Sequence, residues 1–184
     1  MQQDRAAGKA NTKRAAKALG TEPSARPVLD FAMYVPALLI HTSNKMSTGA
    51  NALYRRCFGI GVTEWRVLAL LAAEPGSSAQ RICEMIGFDK AIVSRVVKSL
   101  HAEGRVQITA DAKDSRKHKI ALTPRGRQLH NQIISVALER ERRLLTGIDP
   151  KDVQLLRDIL RKLHGNLPLA DSYDPAEFEP ARME

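Results

Sequence analysis

The chain has little with which to build a covalent or metal scaffold. Its only cysteines are Cys57 and Cys83, with no Cys-x-x-Cys pair, which excludes a disulfide framework and a zinc ribbon and suits a reducing compartment. Long apolar runs are missing too. The longest, Val67 to Ala73, falls far short of the roughly 20 residues that span a bilayer, so no membrane partner is expected. The first twenty residues hold Arg5, Lys9, Lys13, Arg14 and Lys17 among alanines but no apolar stretch. They do not read as a secretory signal, and the expected compartment is the cytoplasm. Catalytic signatures are also absent: there is no P-loop, no Gly-x-Ser-x-Gly and no His-Glu-x-x-His. Gly59-Ile60-Gly61 begins like a dinucleotide fingerprint, but Glu64 stands where the third glycine belongs and no strand precedes it, so a helix terminator fits better. The histidines at 41, 101, 118, 130 and 164 lack ligand spacing. No cofactor, no metal site and no enzymatic activity is expected.

What is present is an excess of positive charge. With 184 residues, 43% of them apolar, the chain has room for one domain with a real core plus tails. Its net charge is +9, and a bias of that size points to a polyanionic partner. Residues 1–27 carry six basic and two acidic side chains, and residues 166–184 carry one basic and five acidic. These two stretches cancel. Both read as poorly ordered tails, one basic and one acidic and proline-containing, around a folded body at 28–165 that owns the excess. Within the body, residues 81–127 hold eleven basic and five acidic residues.

Periodicity and punctuation predict six helices and one hairpin. A long helix is expected from Phe31 to about Cys57, with Tyr34, Leu38 and Leu53 as an apolar stripe, closed by Gly59 and Gly61. Thr63 reads as the cap of a short buried helix carrying Val67, Leu68, Leu70 and Leu71 and ended by Pro75-Gly76. Ser77 or Ser78 caps a third helix with Ile82, Met85 and Ile86 facing inward, stopped by Gly87, and Asp89 caps a fourth that ends at Gly104. Val106-Gln107-Ile108 and His118 to Leu122 alternate like two short strands around a charged turn, Asp111 to Lys117, and Cys83 reads as buried. Thr123-Pro124 opens a long helix to about Leu145, and Asp149-Pro150 opens a last one with Val153, Leu156, Ile159, Leu160 and Leu163.

The third and fourth helices, joined through Gly87, make a helix-turn-helix, and the hairpin behind them makes it winged: a mainly helical fold with a small β wing. In the fourth helix Val93, Val96, Val97 and Leu100 share one stripe, while Ala91, Ser94, Arg95 and Lys98 share the opposite one. A major groove about 12 Å wide admits such a helix, letting Lys90 and Arg95 approach guanine edges or phosphates while Ala91 permits close approach. Ser78, Lys113 and Lys117 are further candidate contacts. A solvated basic face explains the stripe alone; the cap, glycine turn and cationic wing in succession favour double-stranded DNA. The first helix and the last two carry more apolar residues than a small winged domain covers, among them Ile133, Ile134, Val136, Leu138, Leu144 and Leu145. Either they form an intrachain core or a homodimer buries them, and a two-fold dimer would read a pseudo-palindromic operator with half-sites roughly 34 to 36 Å apart.

From about residue 31 to 164 the chain resembles the multiple antibiotic resistance regulator (MarR) family of winged-helix transcription factors. The resemblance is carried by Asp114-Ser115-Arg116 followed by Leu122-Thr123-Pro124-Arg125-Gly126, by Thr63-Glu64-Trp65-Arg66-Val67-Leu68, and by Ala91-Ile92-Val93-Ser94-Arg95 with Glu103-Gly104. It implies a dimer held by helices at about 31–57 and 124–164, a DNA-binding region at about 63–122, a minor-groove role for Arg116 and a bracing role for Asp114. It also implies a small aromatic effector between the dimerisation helices and the winged region. The segment Tyr34-Val35-Pro36 to Met46 looks like the branch that regulates aromatic-acid catabolism, with His41 where relatives often carry an arginine. His41, Asn44, Trp65 and Arg66 are therefore the candidate effector residues for a phenolic acid or its coenzyme A thioester, and the expected function is a repressor released by that ligand. Two other readings remain beside it: a thiol-switched regulator working through Cys57, whose thiolate Arg55 and Arg56 would favour although a packed structural cysteine is the plainer expectation there, and a ligand-independent architectural DNA-binding protein leaning on its basic tail.

Overall fold

The computed structural model describes residues 28–110 and 118–174. The expected basic tail, the wing turn at 111–117 and the end of the acidic tail lie outside the described residues. The chain divides into two compact units, one running to Val62 and the other starting at Thr63.

The first unit is built on α1, Val35–Phe58. It starts four residues later than Phe31, because Asp30 closes a turn of its own: its carboxylate accepts the Ala32 N–H at 2.8 Å and its carbonyl accepts those of Met33 and Tyr34 at 3.1 and 2.9 Å. Gly59 ends α1 in the left-handed region at φ 70°, as its lack of a Cβ allows. The buried side chains are those of Ala50, Tyr54 and Ile60. Tyr34 and Leu38, of the expected apolar stripe, are exposed.

The second unit contains α2 (Val62–Ala73) from its second residue onward, α3 (Ala79–Ile86), α4 (Lys90–Ala102), β1 (Val106–Ala110), β2 (His118–Leu122), α5 (Pro124–Leu144), α6 (Pro150–Gly165) and α7 (Leu167–Asp171). Thr63 is not the cap of α2. The helix begins one residue earlier, where the Asn51 side-chain oxygen accepts the Val62 N–H at 3.2 Å. The buried apolar residues are Trp65, Val67, Leu68 and Leu71 of α2, Ile82 of α3, Val93, Val97 and Leu100 of α4, Val106 and Ile120 of the strands and Ile133 of α5. Met85, expected inward, is exposed, since an eight-residue helix buries only Ile82; Cys83 is half-buried. β1 runs two residues past Ile108 and pairs antiparallel with β2, Val106 opposite Leu122 and Ala110 opposite His118. Ser77 adds a bridge to the outer side of β2: its carbonyl accepts the Ile120 N–H at 3.0 Å while Gly76 donates to the Ile120 carbonyl at 3.1 Å. The expected tail from 166 also begins in helix, as α7.

The wing is locked to α5 at one point. Thr123 caps α5 by accepting the Gly126 N–H at 3.1 Å, and its hydroxyl lies 2.7 Å from the Gly104 carbonyl and 3.1 Å from that of Arg105. The leaving end of the hairpin is thereby tied to its entering end.

Candidate nucleic-acid interface

Two side-chain caps and a glycine build the helix-turn-helix. The Ser78 hydroxyl accepts the Arg81 N–H at 3.1 Å and starts α3; Gly87 ends it at φ 71°, its N–H donating to Cys83 at 2.8 Å. The Asp89 carboxylate then accepts the Ile92 N–H at 2.8 Å and starts α4. Each cap satisfies a donor that a helix end would otherwise leave open. Arg81 of α3 also grips the Glu74 carboxylate through two nitrogens at 2.9 and 3.0 Å. That pair holds the Glu74 carboxyl below the usual carboxylate range.

With α4 so started, its faces separate by chemistry. Val93, Val97 and Leu100 are buried and Val96 is half-buried. On the other side Lys90, Ala91, Arg95 and Lys98 are exposed and Ser94 is half-buried. Among the described residues no carboxylate pairs with Lys90, Arg95 or Lys98, whereas Arg105, at the helix end, is engaged by Glu103 at 2.8 Å. The outward stripe thus presents three unneutralised cations around a residue with no bulk. The structure brings together Lys90, Ala91, Ser94, Arg95 and Lys98 on this one surface. Ser78 is occupied as a cap, and Lys113, Asp114, Arg116 and Lys117 lie outside the described residues.

The expected effector residues fall in two places. In the first unit, His41 and Asn44 are three residues apart on α1 and both exposed. In the second, Trp65 is buried and stacks on His130 of α5, with ring centroids 5.4 Å apart, and the Arg66 guanidinium lies 5.6 Å from the centre of the Phe88 ring. A cleft of about 240 Å³ is lined by Arg105, Arg125, Gln128, Leu129 and Gln132 and includes none of the four. Sequence reasoning missed Phe88 and His130, although Phe88 follows the glycine of the helix-turn-helix directly. No helix among the described residues is long and apolar enough to cross a membrane.

A model of the MarR family matches residues 58–117. The structure of a MarR/EmrR family transcriptional regulator from Acinetobacter sp. ADP1 is 30% identical and superposes with a TM-score of 0.73 over 77% of this chain and 99% of that one. An uncharacterised helix-turn-helix transcriptional regulator of Bacillus subtilis, YdgJ, is 27% identical over 117 residues, 62% of this chain and 70% of that protein. The structure of CouR from Rhodococcus jostii RHA1 bound to p-coumaroyl-CoA shares the fold, with a TM-score of 0.67 at 23% identity over 74% of this chain and 95% of that one.

Proposed function

The chain belongs to the MarR family of DNA-binding transcriptional regulators, whose members are not enzymes, and from that premise we propose that it is a homodimeric repressor which a small aromatic acid, or its coenzyme A thioester, releases from a pseudo-palindromic operator. The observation that carries the DNA reading is the exposed cationic stripe of α4. In this reading Arg95 meets a base edge and Lys98 a phosphate, while Lys113, Arg116 and Lys117 serve the wing and Asp114 braces Arg116. Arg95→Ala is expected to weaken an operator selected from a randomised duplex pool by about 1 to 3 kcal/mol and to relax its sequence preference. Lys98→Ala is expected to weaken selected and unrelated duplexes alike, with a shallower salt dependence. Fluorescence anisotropy on both duplexes checks this, and equal loss of specificity from the two variants overturns the assignment.

Support for an aromatic effector comes from the CouR structure with its p-coumaroyl thioester and from the polar pair His41 and Asn44 on α1. A buried carboxylate must be met by donors. Effector binding alters DNA affinity only as far as it distinguishes two conformations, so coupling must run both ways. His41→Ala is expected to hold selected DNA within about threefold of the parent, about 0.6 kcal/mol, yet to lose release by the best hit from a thermal-shift screen of phenolic acids and their thioesters. Unchanged calorimetric binding of that hit would move the site elsewhere. Exposure of Cys57 favours a second reading, a thiol switch. Peroxide-induced loss of DNA binding that Cys57→Ser abolishes would support it.

A further inference from the structure

Trp65 and Arg66 are consecutive in α2 and are held by different parts of the molecule. The Trp65 indole, 8% exposed, lies over the His130 imidazole of α5 with the ring planes 22° apart. The Arg66 guanidinium faces the ring of Phe88 at 5.6 Å. Phe88 stands between Gly87, the left-handed end of α3, and Asp89, the cap of α4. It is the middle residue of the three that set the angle between the two helices. One helical turn of α2 therefore touches the long helix α5 and the turn that aims the DNA-reading helix.

We propose that this turn of α2 is a coupling lever: the Trp65–His130 stack and the Arg66–Phe88 contact join α5 to the helix-turn-helix, making Arg66 and Phe88 positioning residues for α4. Val67, Leu68 and Leu71, at 1%, 0% and 0% exposure, anchor α2 in close packing, which moves as a body between discrete arrangements and does not deform residue by residue. A shift of α5 that carries His130 must then carry Trp65, and Arg66 with it. A cation over a ring face is directional, weakening as it slides off the face, so the Phe88 end registers the shift. The use of this lever in effector release rests on the function proposed above; the coupling itself belongs to the free protein.

Amide hydrogen exchange of the full chain without DNA tests it. His130→Leu removes a ring that is not in the helix-turn-helix, yet it is expected to speed exchange at Gly87, Ile92 and Val93 about threefold or more. His130→Phe, which keeps a ring to stack, is expected to restore the parent. Arg66→Met is expected to act as His130→Leu does, and the pair together no more strongly than either alone. Reciprocally, Phe88→Leu is expected to shift the His130 ring resonances. On DNA, Arg66→Met and Phe88→Leu should each cost about three- to tenfold on a pool-selected duplex and under twofold on an unrelated one. Exchange changes confined to α5 in His130→Leu, a rise at all amides alike, additive effects in the double variant, or unmoved His130 resonances would overturn the lever. A pool that enriches no sequence would overturn the regulator reading while leaving the exchange experiment to decide the coupling.

Discussion

In the homodimer proposed above, replacing Leu156 and Leu160 together by Glu is expected to leave a monomer and to lower the affinity for a selected operator at least about a hundredfold. Both side chains are exposed in the single chain, with Ile159 and Leu163 beside them, and α6 has no buried residue along its whole length. A sixteen-residue helix of this kind has no reason to hold its apolar stripe in water, since burying one leucine is worth about 1.5 to 3 kcal/mol. α7 and the first unit add to the excess: Leu167, Leu169 and Tyr173, and separately Phe31, Met33, Leu38 and Ile40, are exposed too. An exposed apolar surface of this extent marks an interface. Two-fold symmetry doubles each substitution, so the variant places four carboxylates where four leucines were meant to meet. The DNA effect follows because a dimer presents its second recognition helix at high effective concentration once the first is bound, and a monomer does not. Sedimentation velocity gives the oligomeric state, circular dichroism checks that the helices persist, and anisotropy gives the affinity. A variant that sediments as a dimer and binds like the parent would remove α6 from the interface.

The parts of this molecule that were legible in the sequence are those decided within a few residues. Ser78, Asp89 and Thr123 cap the helices they precede, because a hydroxyl or carboxylate three residues before an open N–H reaches it whatever the rest of the chain does. Gly59 and Gly87 stop helices for an equally local reason, a positive φ. The two stripes of α4 were legible because they are a matter of period. Residues decided by distant partners were not. Thr63 lost its capping place to Asn51, eleven residues before the N–H that it serves. The bridge from Ser77 to Ile120 pairs two segments that nothing local connects. Trp65 and Arg66 were legible as candidate effector residues, but their contacts with His130 and Phe88 are ones that no periodicity could supply. On α6 the stripe itself was plain, but whether another part of the chain covered it depended on the fold as a whole.

Gly126→Ala is expected to be strongly damaging, lowering stability by about 3 kcal/mol and the melting temperature by roughly 10 °C. Gly126 is the last residue of the stretch that begins Leu122-Thr123, and the reason for a glycine there is visible only in three dimensions. A Cβ on Gly126 would collide with the backbone carbonyl oxygen of Arg105 and lie 2.9 Å from its carbon. Neither atom belongs to a side chain that could rotate away. The Arg105 carbonyl is also fixed where it is, accepting the Thr123 N–H at 3.1 Å and lying close to the Thr123 hydroxyl, and the next backbone atoms enter β1. Relief therefore requires the first turn of α5 to withdraw from the root of the wing, breaking the Thr123 cap as it goes. The penalty is one of space and not of backbone conformation, since Gly126 is helical and buried and, unlike Gly87, carries no positive φ. Gly87→Ala is accordingly expected to cost less, about 1 kcal/mol, because open space surrounds its Cβ position and only the left-handed backbone is strained. Thermal and urea unfolding of the two variants side by side decides the matter. If Gly126→Ala unfolds within 2 °C of the parent, roughly half a kcal/mol at this size, the close approach of α5 to Arg105 is not what holds the wing in place.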